Sequence, residues 1–394
     1  MPEDDSTRRQ FLGRVGSGTL GLALSRTHPA WAHRSERTQE LLVYVGTYTT
    51  GKSEGIYLFR LNLSSGELTH VNTTTGVVNP SYLTLDPQRR YLYVVNEVTD
   101  FRGETGGALS AFAINRKTHN LQLLNQQPSL GGAPCYVTVD AAGRFVLVAN
   151  YLGGNVSVFP IQRDGRLGGA VDMDQHQGSS VNPNRQNGPH AHSIVLDPAN
   201  RHAYSCNLGT DKIMIYRFDS KKGTLTANQQ PWVGLKPGAG PRHFSFHPSG
   251  RFGYVINELD ATITSFHCNP ATGTLKETQT VRTLPEGFSG TNTTADIHVS
   301  PSGKFLYGSN RGHNSIVVFE IEDRTGKLKL IEHVETGGRT PRNFALDPTG
   351  TFLLVANQDS DTIVTFSINP STGRLKPTGK VAQVPSPVCL KLFA

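Results

Sequence analysis

Short runs in which apolar and polar residues alternate fill the chain from about residue 41 onward, and the clearest pair lies within 238–259. Two such runs, HFSF and RFGYVIN, flank the turn sequence HPSG. A period of two predicts strands, and the short turn predicts that they pair as an antiparallel hairpin. This pairing brings the start of the first strand beside the end of the second. Arg242 and His243 are therefore expected next to Asn257 and Glu258.

This hairpin occurs six times along the chain. Its turn carries a proline, or an alanine in one copy, and an asparagine follows nine positions later. The turn residues are Pro87, Ala141, Pro198, Pro248, Pro301 and Pro348, and the asparagines are Asn96, Asn150, Asn207, Asn257, Asn310 and Asn357. A turn before a leucine occurs seven times, at Leu68, Leu121, Leu167, Leu225, Leu275, Leu328 and Leu375. Spacings of about 46 to 58 residues are typical of four-stranded propeller blades.

The two ends of the repeat region complete each other. The first unit, LLVYVGTYT and GIYLFRLNL, lacks an opening strand, whereas the run SPVCLKLF at the other end has nothing after it. If SPVCLKLF supplies the inner strand of the first blade, the ring closes and its sheet edges are paired. The sequence thus predicts an all-β fold, a seven-bladed β-propeller of four-stranded antiparallel blades. A propeller grows by adding blades, so a single domain over residues 41–394 is expected.

The sequence before residue 41 has a different character. Twin arginines, Arg8 and Arg9, precede a weakly apolar run that ends in Ala-Trp-Ala at 30–32. This pattern resembles a twin-arginine translocation (Tat) signal. It predicts a cleaved export signal over 1–32, a linker over 33–40, the Tat translocase as a partner during export, and a periplasmic or secreted location. A cytosolic chain with a basic tail is the alternative.

Composition narrows the classes of function. The chain has 38 Lys and Arg against 31 Asp and Glu, a formal net charge of +7, with no basic run and no interleaving of basic and aromatic residues. Nucleic acid is therefore not an expected partner, and a small anionic ligand or a cell-wall surface is favoured. No apolar run is long enough to span a membrane. The cysteines are expected to be buried free thiols because they lie in predicted strands without C-x-x-C spacing. They are Cys135, Cys206, Cys268 and Cys389. No metal and no cofactor is expected.

The repeat predicts which rim of the ring carries a site. Inner strands start and second strands end at the same face, so residues at both places surround one mouth of the central channel. Three chain excursions, over 98–107, 168–188 and 285–294, are expected to enlarge this face, and binding residues often lie on such loops. The repeated asparagines and the Asp-Pro turns are expected to be structural, because both residue types bond nearby backbone groups.

Residues that break the repeat at this mouth are the candidate site residues. A repeat fold needs only small or apolar side chains there, and gathered ionisable groups lower stability unless a polar anionic ligand binds. At inner-strand starts they are His190, His192, Arg242, His243, Asp296, His298 and Arg342, and past second-strand ends they are Glu97, Tyr151, Glu258 and Arg311. Ion pairing could instead explain Arg311 and Arg342, and His243 and His298 could serve only to orient other groups.

Several of these segments occur together in a known family. HAHSIVLDP, GAGPRHFSFHP, VINEL, TADIHVSPSGKFLYGSNRG and TPRNFALDPTG, in this order, resemble the seven-bladed propeller lactonases. That family includes propeller-type 6-phosphogluconolactonases and the fungal carboxymuconate-lactonizing enzyme. The resemblance extends from about residue 41 to the C-terminus and implies a site of histidine, arginines and glutamate at the channel mouth. In this chain those residues are His192, Arg242, Glu258 and Arg311, with His190 as a near neighbour.

We predict His192, Glu258 and Arg242 to be catalytic. The predicted substrate-binding residues are His190, His243, Asp296, His298, Arg311 and Arg342. Alternation places His190 and His192 on one side of a strand, and either could be the base. Arginines would clamp an anionic group and polarise the lactone carbonyl, while a histidine takes a proton from the attacking water. No nucleophile elbow is present, which favours direct hydrolysis over an acyl-enzyme.

The resemblance implies hydrolysis of a sugar lactone, as in 6-phosphogluconolactonase. The predicted leader removes the chain from the cytosol, where 6-phosphogluconolactone is made and used, so another sugar lactone or a carboxylated lactone is the alternative substrate. The same site run in reverse would lactonize a muconate-type dicarboxylate. A non-catalytic surface-binding propeller is the structural alternative. A small anionic lactone or carboxylate is the expected partner of either enzyme.

Overall fold

The computed structural model describes residues 40–393. The predicted leader and nearly all of the predicted linker lie outside these residues. Seven four-stranded antiparallel sheets and one short hairpin make up the described chain. The seven sheets are the blades of a propeller, which confirms the predicted fold class.

The strands follow the chain blade by blade. Blade 1 contains β1 (Glu40–Thr47), β2 (Gly55–Asn62) and β3 (Leu68–Thr75). Blade 2 contains β4 (Leu83–Leu85), β5 (Tyr91–Asn96), β8 (Ala108–Ile114) and β9 (Leu121–Pro128), with β6 (Asp100–Phe101) and β7 (Glu104–Thr105) as a separate hairpin between them. Blade 3 contains β10 (Pro134–Val139), β11 (Phe145–Asn150), β12 (Asn155–Pro160) and β13 (Asp172–Gln175).

The second half of the ring has the same order. Blade 4 contains β14 (Ala191–Leu196), β15 (His202–Asn207), β16 (Lys212–Asp219) and β17 (Thr224–Gly234). Blade 5 contains β18 (Pro241–Phe246), β19 (Phe252–Asn257), β20 (Thr262–Cys268) and β21 (Leu275–Arg282). Blade 6 contains β22 (Thr293–Val299), β23 (Phe305–Arg311), β24 (Ser315–Ile321) and β25 (Leu328–Glu335). Blade 7 contains β26 (Pro341–Leu346), β27 (Phe352–Asn357), β28 (Thr362–Ile368) and β29 (Leu375–Gln383), and the last strand is β30 (Pro387–Phe393).

The C-terminal strand β30 closes the ring, as predicted. It pairs antiparallel with β1, where Val43 faces Leu392 and Val45 faces Leu390, and so becomes the innermost strand of blade 1. On its two sides β30 contacts the inner strands β26 and β4. Closure leaves no inner strand of the ring without a neighbour, which removes the usual liability of a sheet edge.

Hydrogen bonds between blades explain why a glycine stands in four of the turns that precede a leucine. The hydroxyl of a buried tyrosine donates to the carbonyl of the turn glycine in the next blade, at 2.8–3.0 Å. The pairs are Tyr93 with Gly165, Tyr204 with Gly273, Tyr254 with Gly326 and Tyr307 with Gly373. Each of these glycines has a positive φ, between 67° and 87°. Glycine adopts this backbone without strain, so the turn can present its carbonyl to the neighbouring blade.

The repeated asparagines are buried where the second strands end. The side-chain amides of Asn96, Asn150, Asn310 and Asn357 donate to backbone carbonyls of the segment that enters the same blade. This is the structural role expected for most of them. All four cysteines are buried and free, which confirms that prediction.

One of the three predicted excursions is partly wrong. Residues Asp172–Gln175 within 168–188 form β13 and pair with β12, so they complete blade 3 instead of extending a loop. The run has no apolar alternation, and the sequence therefore gave no strand signal. No helix within residues 40–393 is long and apolar enough to cross a membrane.

Candidate active site

Inner strands reach the channel mouth with an irregularity that recurs from blade to blade. The strand register shifts between Pro134 and Tyr136 in β10, and the same shift occurs at the start of β14, β18 and β26. The residues at these shifts are Cys135, His192, Arg242 and Arg342. A β-bulge adds a residue and redirects its side chain, and bulges are frequent beside active sites. The fold thus places four side chains at the mouth that strict alternation would misplace.

Glu258 is the centre of a group that we call the Glu258 cluster: Glu258, Arg185, Arg242, Arg311 and His192. Its carboxylate is 3% exposed. Oε2 lies 3.0 Å from Arg242 Nε and 2.9 Å from Arg311 Nη2, and Oε1 lies 2.5 Å from Arg185 Nη2. His192 Nε2 lies 3.8 Å from Oε2. The pairing of Arg242 with Glu258 agrees with the hairpin prediction.

Charge in the Glu258 cluster is set by burial and by the arginines. Burial alone would raise the pKa of Glu258, but the fields of Arg311, Arg242 and Arg185 together outweigh it and hold the pKa at about 2. The pKa of His192 is well below its usual value, first because the ring is buried and then because Arg242 is close. At neutral pH the glutamate is therefore an anion and the imidazole is neutral.

A second carboxylate supports Arg242 through a histidine. Asp296 Oδ1 lies 2.8 Å from His243 Nδ1, and Arg242 Nη1 lies 3.2 Å from His243 Nε2. Because Arg242 can only donate, Nε2 is the acceptor and the proton of His243 lies on Nδ1. Burial and Arg242 lower the pKa of His243 to about 4, so the ring is neutral. The other oxygen of Asp296 bonds His298 Nε2 at 2.9 Å and the amide of Asn343.

Arg342 lies at the start of β26, outside the Glu258 cluster. Its Nη2 donates to the hydroxyl of Tyr48 at 2.7 Å. That hydroxyl lies 3.0 Å from both carboxylate oxygens of Glu97, which also accepts from Ser81. A small cavity separates Arg342 from Arg242, and Cys135 lines it.

The chain excursion after β13 reaches over the Glu258 cluster. It carries Arg185, whose side chain is 38% exposed and also bonds the hydroxyl of Tyr151. The next residue, Gln186, is buried and donates to Asp211 Oδ1. Asp211 also accepts from Ser180 in the excursion and from the backbone of Gly238 and Gly240, just before Arg242. One buried carboxylate therefore connects the excursion to the strand that carries Arg242.

The structure separates the predicted catalytic and substrate-binding residues into four places. His192, Arg242, Glu258 and Arg311 meet in the Glu258 cluster. His243, Asp296 and His298 form the chain of hydrogen bonds behind Arg242, and Arg342 lies across the cavity. His190 precedes β14, stacks on Tyr151 and donates from Nδ1 to the Tyr151 carbonyl.

Two residues at the mouth were not predicted, Arg185 and Tyr48. Arg185 lies in the polar run VNPNRQNG, which has no period to place it. Tyr48 had a signal: it follows β1, the second strand of blade 1, as Glu97 follows β5 and Glu258 follows β19. Thr47 stands where other blades have asparagine, and this hides the equivalence.

Comparison with known proteins decides the family. Residues 42–392 match the family described as lactonase, 7-bladed beta-propeller. A 6-phosphogluconolactonase of Bacillus subtilis is 37% identical over 299 residues, which are 76% of this chain and 83% of the relative. One of Formosa agariphila is 36% identical over 309 residues, 76% of this chain and 84% of the relative. The chain belongs to the seven-bladed propeller lactonase family.

Solved structures agree with this assignment. The structure of a periplasmic gluconolactonase of Pseudomonas aeruginosa is similar to this propeller lactonase with a TM-score of 0.85 and 35% sequence identity. The match covers 90% of this chain and 99% of that chain. The match therefore extends over most of this chain and nearly all of that chain.

The Glu258 cluster of this lactonase supplies fixed cations and a neutral base. Glu258 is saturated by three guanidinium groups, and its pKa of about 2 makes it a poor proton acceptor at neutral pH. Its ion pairs hold Arg185, Arg242 and Arg311 beside one another. His192 is neutral and can accept a proton. Within residues 40–393, no group of three or more His, Cys, Asp or Glu is arranged to hold a metal ion.

Proposed function

We propose that this propeller lactonase hydrolyses a sugar lactone at the channel mouth by direct attack of water. The observation that carries the proposal is the neutral imidazole of His192 beside guanidinium groups that an ionised Glu258 holds in place. Such groups provide what ester hydrolysis needs, a proton acceptor and positive charge for a developing oxyanion. Glu258 acts by positioning the arginines, and not as the base.

In the proposed reaction His192 removes a proton as the water oxygen bonds to the carbonyl carbon. The carbonyl π electrons move to oxygen and give a tetrahedral oxyanion, which the nearby guanidinium charge stabilises. When the carbonyl re-forms, the ring C–O bond breaks and protonated His192 returns its proton to the ring oxygen. The product is a hydroxy acid, which ionises at neutral pH.

The lactone that we favour has no phosphate. The relative from P. aeruginosa is described as a periplasmic gluconolactonase, and the N-terminal sequence resembles an export signal. We propose that this chain is exported too, which would separate it from cytosolic phosphorylated sugars. A double variant, Arg8→Lys with Arg9→Lys, is expected to remain unprocessed in the cytoplasm. Normal export and cleavage of that variant would contradict the proposal.

The test is acid release by the purified protein from gluconolactone, 6-phosphogluconolactone and a muconolactone, corrected for spontaneous opening. Gluconolactone is expected to be opened at least as efficiently as its phosphate ester. His192→Asn should lower turnover by about 10² to 10⁴, the usual contribution of a general base. His267→Asn, at an exposed position on β20, is the matched control. Cyclisation of muconate without opening of any sugar lactone would instead favour the lactonizing activity.

A further inference from the structure

The cavity between Arg242 and Arg342 is small enough to limit what can enter it. Its walls include both arginines together with Glu97, Cys135 and His243. The space that it leaves for a water-sized group is about 10 Å³, close to the minimum that one water molecule requires. A phosphate or a carboxylate does not fit into such a space, whereas a single oxygen atom does.

Hydrogen-bond donors of the two arginines remain available beside this cavity. Arg242 uses Nε for Glu258 and Nη1 for the Ala295 carbonyl and His243, which leaves Nη2 without an acceptor among the described residues. Arg342 uses Nη2 for Tyr48, and within residues 40–393 its Nε and Nη1 have no acceptor either. Guanidinium nitrogens only donate, so these N–H groups can each donate to an acceptor atom of a ligand, while Glu97 at the same cavity already accepts from Tyr48 and Ser81.

The positive charge of Arg342 has no direct counter-ion in the described chain. No carboxylate oxygen lies within 4.0 Å of it among residues 40–393. Glu97 is the nearby acid, but Tyr48 stands between them and bonds both. Charges away from water are normally paired. Arg242 has a direct ion pair with Glu258, whereas Arg342 feels Glu97 and Glu258 only at longer range and bonds the phenol of Tyr48 instead.

We propose that this cavity receives the carbonyl oxygen of the lactone, with Arg242 and Arg342 as the donors that stabilise the oxyanion. The inference rests on the proposed function and adds two residue roles to it. Arg342 contacts the reacting oxygen and is catalytic, while Tyr48 is a positioning residue that holds the Arg342 guanidinium. Because the cavity admits one atom, the remainder of the substrate lies outside it.

The substrate class follows from this orientation. Any charged substituent of the lactone must lie toward the solvent side of the mouth, so the oxyanion site itself does not select a phosphate. A neutral sugar lactone provides the one acceptor oxygen that the proposed oxyanion site requires.

The test compares Arg342→Lys and Tyr48→Phe with the wild type in kcat, KM and melting temperature. Lysine keeps the charge but loses the planar fork, so kcat is expected to fall by about 10² to 10³. KM should change little, because the contact strengthens only in the transition state. Tyr48→Phe removes one hydroxyl and should lower kcat by about tenfold at an unchanged KM. Arg339→Lys is the matched control, because Arg339 is exposed and lies on the connection between β25 and β26, just before Arg342.

Each outcome decides between specific alternatives. A rise in KM at constant kcat in Arg342→Lys would overturn the inference, since Arg342 would then bind a ground-state anion. Wild-type kcat in a folded Arg342→Lys protein would also overturn it, and would leave the proposed hydrolysis intact. If the folding of Arg342→Lys fails, a Tyr48→Phe protein with wild-type kcat overturns the inference on its own. A wild type that opens no lactone would overturn the proposed function, and the inference with it.

Discussion

Carboxylates stand at both rims of the propeller, and they are satisfied in opposite ways. At the turn rim each aspartate bonds its own turn: Asp347 Oδ1 accepts from the backbone nitrogens of Thr351 and Phe352 at 2.8 and 2.5 Å. Asp86, Asp140 and Asp197 bond the residues four and five positions ahead in the same way. At the channel mouth Glu258 bonds guanidinium groups from three separate segments of the chain.

We infer from this difference which carboxylates serve folding and which serve the proposed chemistry. An aspartate that bonds backbone within five residues is a local device, and its repetition follows from the repetition of the turn. Two of the partners of Glu258, Arg185 and Arg311, are 73 and 53 positions away in the sequence. Bringing these charged side chains together in a buried site removes water from them at a cost in free energy. The folding of a local turn has no such cost. The mouth is therefore where substitution should change turnover.

The largest expected effect is at the mouth, for Arg242→Lys. Lysine cannot bond Glu258, His243 and an oxyanion with one planar group, so kcat should fall by about 10² to 10³, or ~2.7 to 4 kcal/mol of transition-state stabilisation. Turnover per folded molecule and the melting temperature are measured together. If Arg242 were only a structural partner of Glu258, the melting temperature would fall and turnover would stay normal, in Arg242→Lys and in Glu258→Gln alike.

The corresponding prediction for the rim that carries the turns concerns Asp347. Asp347→Ala removes the acceptor of the Thr351 and Phe352 backbone N–H groups, the second of which is buried, and is expected to lower the free energy of unfolding by about 1 to 3 kcal/mol. Turnover of the folded protein should equal that of the wild type. Urea unfolding and steady-state kinetics on one preparation provide both numbers. A loss of kcat larger than the loss of folded protein would contradict the division between the two rims.

The sequence predicted the repeat and the residues that break it at strand ends, and it missed features outside that pattern. Alternation, turn signals and the strand missing from blade 1 were enough for the propeller and its closure by β30. Hairpin pairing was enough to bring Arg242 to Glu258. The bulges escaped prediction because one added residue interrupts the period of two, so His192 and His190 are not related by simple alternation. Tyr48 meets Arg342 across 294 positions, a contact that exists only because the ring closes.

The pH dependence of turnover should show whether His192 is the base. Burial and Arg242 lower the pKa of His192. The ring therefore stays neutral as the pH falls through 6.5, and it is protonated only when the pH is well below that value. If His192 is the base, kcat/KM remains flat from neutral pH to below 6.5 and then falls. Glu258 does not contribute to this limb, since its pKa is about 2. A midpoint at pH 6.5 would indicate a different, solvated base.

The smallest expected change in turnover is for a substitution of Cys135, one of the four residues that bulges place at the mouth. Its Sγ lies 3.6 Å from His192 Nδ1, a spacing that invites comparison with a nucleophile and its base. However, burial, more than any neighbouring charge, raises the pKa of the thiol far above its usual range, and the Sγ lies 3.4 Å from the His192 carbonyl oxygen, which can only accept. A protonated thiol is a poor nucleophile. Cys135→Ala should therefore keep kcat within about threefold, or ~0.7 kcal/mol. A loss of 10² or more, together with a burst of product and an acyl adduct in the mass spectrum of the wild type, would replace direct water attack by a covalent route.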